Sequence, residues 1–205
     1  MSLRVAVTGL AIAIASFAAP ASAQNATFTE IRDAIPLRYF SAATAVEPGP
    51  NALETTLVIG FETGANSFLA SAQVNNLIGT RLAADTLSFT VNAPQGYYVS
   101  SLTCRLSGFG VVNTPGDARA AANWVVNGQP LDLGSKGGAP FTTGGAAWSL
   151  EQKFTSSNLT VVPVSLTTQL FAFAAATGAS AEVELTRATI VVTVAPVAAT
   201  GASRN

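Results

Sequence analysis

The stretch APQGYYVSSLTCRLSGFG, residues 93–110, shows a period-two alternation of side chains. After a Pro-Gln-Gly turn, the more apolar set of alternating positions is Tyr98, Ser100, Leu102, Cys104 and Leu106. The intervening positions are Val99, Ser101, Thr103 and Arg105. Successive side chains of a strand point to opposite faces of the sheet. The stretch therefore predicts a β-strand with Cys104 on its more apolar face.

The same alternation recurs in residues 53–61 and 87–91. Farther along, Asn127-Gly128 separates two apolar-alternating arms. Because both central residues of a type I′ turn need a positive φ, this dipeptide favours a two-residue β-hairpin. Pro130 predicts that the second arm is an edge strand, since proline cannot donate a hydrogen bond to a neighbour.

Two long β-branched runs, Leu159–Ala175 and Ala181–Val194, predict paired central strands near the C-terminus. In the second run the apolar positions are odd-numbered as far as Leu185 and even-numbered from Ile190. A strand can keep both sets inside only with an extra residue. We therefore predict a β-bulge or a sheet-switching corner between Thr186 and Thr189.

Helical signals are weak, with short turns of helix predicted at most in Ala65–Ala72 and Gly116–Ala122. Eight or nine strands punctuated by Gly and Pro predict an all-β fold. The expected architecture is an antiparallel two-sheet β-sandwich, either jelly-roll or immunoglobulin-like. We expect a single domain over residues 24–205, with a frayed C-terminal tail.

The first residues follow the three-part pattern of a secretory signal peptide. Arg4 precedes an apolar run, Val5–Ala19, and the small triplet Ala21-Ser22-Ala23 follows a proline. The run is shorter than the roughly 20 residues that a membrane span needs. We therefore expect residues 1–23 to be removed and the protein to be secreted, extracellular or periplasmic, without a transmembrane anchor.

The composition argues against several classes of function. Charged residues make up 10% of the chain, where a soluble domain usually has about a quarter, and no cluster of Lys and Arg would neutralise phosphates. Nucleic acid is therefore not an expected partner. The chain has no histidine, which removes the usual base of Ser-His-Asp and Cys-His catalysis and the commonest zinc ligand. We expect no metal, no cofactor and no catalytic residues.

Cys104 is the single cysteine, so it has no disulfide partner within the chain. A thiolate would need a cation to lower its pKa, but Arg105 points to the opposite face of the strand. We interpret Cys104 as a small buried hydrophobic residue, with an intermolecular disulfide as the main alternative.

Paired carboxylates are the route to hydrolysis without histidine. Glu182 and Glu184 lie on one face of a predicted strand, and two residues along a strand span about 7 Å, a separation that glycosidases use. The alternative interpretation is a solvated strand face whose charges discourage aggregation.

Aromatic side chains offer a possible ligand platform. Tyr97, Tyr98, Trp124 and Trp148 fall around the predicted hairpin and a glycine-rich segment, and exposed rings could stack against sugars. Large aromatic residues also fill protein cores, and Trp124 and Trp148 share parity with apolar neighbours. Both interpretations remain open at the level of sequence.

The fragment SFTVNAPQGYYVSSLTCRLSG resembles exported β-sandwich ectodomains of the PEP-CTERM surface-protein group of Gram-negative bacteria. About twenty residues carry the resemblance. It implies an extracytoplasmic β-sandwich and carries over no catalytic residue. The chain departs from that group because it lacks the C-terminal Pro-Glu-Pro motif, the membrane helix and the basic tail, so we do not expect the anchor that the group implies.

Three functional hypotheses follow, in order of preference. The first is a non-catalytic structural or interaction protein of the bacterial cell envelope or extracellular matrix, with self-association through strands such as Thr160–Phe173. The second is a carbohydrate-binding module that uses Tyr97, Tyr98, Trp124 or Trp148 to hold a polysaccharide. The third is a carboxylate-based glycoside hydrolase.

Overall fold

The computed structural model describes residues 25–33, 45–61, 68–74, 79–113, 115–137, 141 and 144–198. All regular secondary structure in these residues is β-strand, as the sequence predicted. The described part of the chain contains no helix of the length and apolarity needed to cross a membrane. The predicted signal peptide, residues 1–23, and the tail beyond residue 198 lie outside the described residues.

Eleven strands are described, and they differ widely in length. They are β1 (Thr27–Asp33), β2 (Ala45–Pro48), β3 (Glu54–Ile59), β4 (Leu69–Gln73), β5 (Gly79–Asn92), β6 (Tyr97–Asn113), β7 (Gly116–Val126), β8 (Gln129–Gly137), β9 (Ala146–Thr155), β10 (Val161–Ala174) and β11 (Ser180–Pro196).

Two antiparallel sheets pack face to face as a β-sandwich. The first sheet has the order β1-β5-β10-β7-β8, and the second has the order β2-β3-β11-β6-β9, with β4 also paired to β11. Apart from the β7–β8 hairpin, the chain from β5 to β11 changes sheet at every connection. The inner strand orders β5-β10-β7-β8 and β3-β11-β6-β9 are those of a jelly roll, which decides between the two architectures expected from the sequence.

The hairpin was predicted correctly. Asn127 and Gly128 have φ values of 51° and 77°, and Val126 pairs with Gln129 across the turn. The strand that contains Pro130, β8, is an edge strand of the first sheet.

The predicted bulge in β11 is present at Thr186. The register with β6 shifts between Leu185 and Arg187, so Thr186 and Arg187 are both exposed. Before the bulge Leu185 is buried, and after it Ala188 and Ile190 are buried. The extra residue therefore keeps the apolar positions on both sides of it in the core.

A second register shift changes the interpretation of residues 97–106. Thr193 pairs with Ser101, but Val194 pairs with Val99, so Ser100 is the additional residue in β6. Ser100 turns its hydroxyl to the Thr193 carbonyl, at 3.0 Å. Val99 is buried and Tyr98 is only half-buried. The expectation that Tyr98 and Ser100 share the face of Cys104 was wrong, because the sequence pattern does not reveal this bulge.

Three other expectations were also wrong. Residues 116–126 form strand β7, and 69–73 form β4, where helical turns were predicted. Residues 65–67 of the first of these predictions lie outside the described residues. The two C-terminal runs are central strands, but β10 lies in the first sheet and β11 in the second, so they do not pair. Because both neighbours of β10 are occupied by β5 and β7, residues 160–173 offer no free edge for self-association.

Glycines on the inner face of β6 make room for large rings in the core. A Cβ atom at Gly108 would overlap the Glu184 carbonyl oxygen and the Trp148 ring, and one at Gly110 would come within 2.8 Å of the Phe141 ring. Trp148 and Phe141 are each 5% exposed. The two late glycines of residues 93–110 are therefore packing positions.

Replacing Gly108 tests this packing. We expect Gly108→Ala to lower the free energy of unfolding by about 3 kcal/mol or more, because a backbone oxygen and an indole must both move. Gly128→Ala is the control, since its Cβ would meet nothing within 4 Å and only the positive φ penalises it, by about 1 kcal/mol. Urea unfolding measures both. Equal losses would contradict the packing role of Gly108.

Candidate functional site

Cys104 lies in the interior of the sandwich. It is 0% exposed, pairs with Ile190 of β11 and Gln152 of β9, and is a free thiol. Burial raises the pKa of the thiol far above its ordinary value, because a thiolate would lose its hydration. These observations confirm Cys104 as a buried hydrophobic residue and leave no accessible sulfur for nucleophilic attack or an intermolecular disulfide.

The buried thiol predicts a pH effect. In the unfolded chain Cys104 ionises above about pH 8.5, whereas in the folded chain it stays protonated. The unfolded state then binds fewer protons, so stability falls as pH rises. Relative to Cys104→Ala, we expect the wild type to lose about 2 kcal/mol of unfolding free energy between pH 7 and pH 10. Urea titrations of both proteins at each pH measure the difference, and a pH-independent difference would contradict the burial.

The two tryptophans that were predicted to contact a ligand also lie inside the core. Trp124 is 0% exposed and Trp148 is 5% exposed, and the indole nitrogens of both are buried without a hydrogen-bond partner in the described structure. Neither ring presents a face to solvent. Both side chains therefore act as core packing here.

The two predicted tyrosines are half-buried and lie on opposite faces of β6. Tyr97 packs against the core and pairs with Pro196. Tyr98 pairs with Ala195 and lies on the outer face. The four predicted aromatic residues therefore do not come together in a single surface.

Glu182 and Glu184 lie on the outer face of the second sheet, between the buried residues Ala181, Val183 and Leu185. Glu182 is exposed and Glu184 is partly exposed. Each is flanked by a residue of β4 and a residue of β6 on an open sheet face. The arrangement matches the solvated strand face that was the alternative to a hydrolytic pair.

The described surface contains a groove on the outer face of the first sheet that no sequence pattern indicated. It has a volume of about 340 Å³ and crosses the strands β1, β5, β10 and β7 near the hairpin turn. Its polar and apolar lining side chains include Glu30, Arg32, Ser88, Thr90, Pro163 and Ser165. We call this the Ser88–Ser165 groove.

Short hydroxyl side chains of β5 and β10 lie on this face of the first sheet. In the register between β5 and β10, Ser88 is opposite Ser165 and Thr86 is opposite Thr167. Their oxygens are 3.3 Å and 2.9 Å apart, within hydrogen-bond distance. Because hydroxyls both donate and accept, such rows can exchange partners with the hydroxyls or amides of a ligand.

The wall of the groove comes from an irregular edge strand. The register between β1 and β5 shifts between Thr29 and Arg32, and Glu30 has a φ of 55°. Glu30 accepts a hydrogen bond from the Thr90 hydroxyl at 3.4 Å. The bulge turns Glu30 and Arg32, one of each charge, toward the groove. On the opposite side Val125, which is 40% exposed, adds an apolar surface.

The described residues contain no group of three or more Cys, Asp, Glu or His side chains that could hold a metal ion. The lining of the Ser88–Ser165 groove includes a single carboxylate, Glu30. This groove can make hydrogen bonds and van der Waals contacts, but its described lining does not supply the pair of carboxyl groups that acid-base hydrolysis needs.

Neither a family model nor a curated protein matches the chain. Among solved structures, it is similar to one titled "CBM4 structure and function", with a TM-score of 0.21 and 13% identity over 75% of this chain and 78% of that chain. A second is TmCBM61 in complex with β-1,4-galactotriose, with a TM-score of 0.20 and 7% identity over 82% and 90%. A third, from infectious bursal disease virus strain Gt, has a TM-score of 0.22 and 12% identity over 98% of this chain and 59% of that chain.

Proposed function

We propose that this protein is an exported, non-catalytic interaction protein of the bacterial cell envelope or extracellular matrix. Its contact surface is the Ser88–Ser165 groove on the outer face of the first sheet. The signal-peptide pattern of residues 1–23 supports export, and the resemblance of residues 88–108 to exported surface proteins supports the envelope setting.

The observation that carries the proposal is the groove itself, which combines the hydroxyls of Ser88, Thr90 and Ser165 with the apolar surfaces of Val125 and Pro163. It spans four strands, a width of about 14 Å from the first strand to the fourth, so an extended chain could lie across the sheet. An open groove of this kind offers contact along its length and does not enclose a substrate. The burial of Cys104 and the open positions of Glu182 and Glu184 support a role without catalysis.

A carbohydrate ligand is the second candidate, and the same groove favours it over a protein. Ser88, Thr90 and Ser165 are short and hydroxylated, while Glu30 and Arg32 add one acceptor and one multiple donor. A polyhydroxylated chain matches this lining, whereas an apolar peptide would leave these polar groups without partners. Under this proposal, the partner is a polysaccharide and the carbohydrate contacts come from the sheet face instead of the tryptophans.

Blocking the groove tests its role. We expect Ser165→Tyr to reduce retention of the protein on purified bacterial sacculi and neutral polysaccharides about tenfold or more, because the larger ring fills the groove floor. Affinity electrophoresis and pull-down with insoluble polysaccharides measure the retention. Incubation with the same polymers should release no soluble sugar.

Ser71→Tyr is the matched control, because Ser71 is also a partly exposed serine on a strand, but in β4 of the second sheet. Its retention should equal that of the wild type. Equal retention of both variants would exclude the Ser88–Ser165 groove. The release of soluble sugar would overturn the non-catalytic assignment.

A further inference from the structure

A second groove, of about 310 Å³, lies on the outer face of the second sheet between β6, β9 and β11. The strand register arranges its polar side chains in two rows that cross the three strands. These rows are Arg187–Ser107–Ser149 and Thr189–Arg105–Glu151. We call this the Arg187 groove. It is on the opposite side of the sandwich from the Ser88–Ser165 groove.

The bulge in β11 places a cation in this groove. Without an extra residue at Thr186, Arg187 would have the same parity as Leu185 and would point into the core. The Thr186 hydroxyl donates to the Ser107 carbonyl at 3.2 Å, which fixes the bulge against β6. Arg187 is therefore held on the outer face, in register with Ser107.

The charges of the groove are not balanced. Arg105 donates from Nε to a Glu151 carboxylate oxygen at 2.9 Å, so these two side chains satisfy each other. Arg187 forms no ion pair or hydrogen bond through its guanidinium with any residue that the structure describes. In the flanking rows, Lys153 and Glu184 contribute one charge of each sign. The site thus has an excess positive charge in a chain whose net charge is −1.

An exposed ring flanks the groove. Phe109 is 45% exposed and lies two residues beyond Ser107 on the same face of β6. A side chain at Gly145 would overlap the Phe109 ring, so the ring rests against the segment before β9. It offers an apolar surface next to a row of hydroxyl groups. Aromatic rings in such positions combine stacking with neighbouring polar contacts.

We infer that the Arg187 groove binds a uronate residue of an acidic polysaccharide. The Arg187 guanidinium binds the sugar carboxylate, because its planar fork of N–H donors can contact both carboxylate oxygens. The hydroxyls of Ser107 and Ser149 bind the sugar hydroxyls, and the free lone pairs of Glu151 accept from them. The ring of Phe109 supports a neighbouring sugar. No residue is asked to transfer a proton or form a covalent bond.

Calorimetry with galacturonate oligomers tests this inference. We expect binding by the wild-type protein, a loss of about tenfold or more in Arg187→Gln, and partial recovery in Arg187→Lys, which keeps the charge but loses the fork. Arg81→Gln is the matched control, because Arg81 is an exposed strand arginine of the first sheet and also has no ion pair among the described residues. It should bind like the wild type, and all variants should unfold at the same temperature.

Control ligands distinguish recognition of the sugar backbone from recognition of the carboxylate charge. Methyl-esterified oligomers have the same backbone without the carboxylate and should bind at least tenfold more weakly. The assignment would be overturned if the wild type did not bind, or if Arg187→Gln bound with wild-type affinity. It would also be overturned if the ester, dextran sulfate or an acidic peptide bound as tightly as the galacturonate oligomers. Ser165→Tyr should leave galacturonate binding unchanged, so this result and that for the Ser88–Ser165 groove are independent.

Discussion

The antiparallel pairing of β6 with β11 fixes which side chains of the second sheet enter the core and which reach the outer face. Both strands are 17 residues long and lie side by side within the second sheet. Side chains of a strand alternate between faces, so a slip of one residue would move every core side chain to the solvent. Two bulges, one in each strand, keep Val99, Cys104 and Leu106 of β6 and Val183 and Ile190 of β11 in the interior. The same bulges determine which polar side chains reach the outer face.

The cysteine and both tryptophans, which could have served as a nucleophile or as ligand contacts, are buried in the interior. Trp124, Trp148 and Cys104 lie in the core, and Gly108 and Gly110 of β6 provide the space for the rings of Trp148 and Phe141. Short hydroxyl side chains then form much of the outer surface of a chain in which 10% of the residues are charged. Two of the edge strands are also protected, β8 by Pro130 and β9 by the charges of Glu151 and Lys153. At these two edges, contact through the sheet faces is favoured over strand addition.

Much of the fold could be predicted from local patterns. The Asn127-Gly128 turn, the edge position of Pro130 and the bulge near Thr186 each follow from a constraint within a few residues. The strand order could not be predicted, because the alternation of β10 and β11 is satisfied equally well whether they pair or face each other across the core. The bulge at Ser100 was not visible either, since Val99 and Leu102 are both apolar and a serine fits either face.

The two candidate grooves could not be predicted from the sequence, because they depend on the register between strands that are far apart in the chain. Ser88 meets Ser165 only because β5 pairs with β10, and Arg187 meets Ser107 only because β11 pairs with β6. Tyrosine and tryptophan, the residue types proposed from the sequence, also occur in sugar-binding sites. The residue type alone does not tell whether a ring lies in the core or is exposed. A signal was present for Arg187, because the predicted bulge implied that two consecutive side chains near residue 186 face the same way.

Cysteine accessibility across the bulge measures the register of the β6–β11 pair. In a Cys104→Ala background, single cysteines replace Leu185, Thr186, Arg187 and Ala188, and a maleimide reagent labels the folded proteins. The register of β11 with β6 predicts labelling at positions 186 and 187 and protection at 185 and 188, in line with their burial. Strict alternation, with 186 and 188 labelled and 185 and 187 protected, would contradict the bulge and the register of the β6–β11 pair.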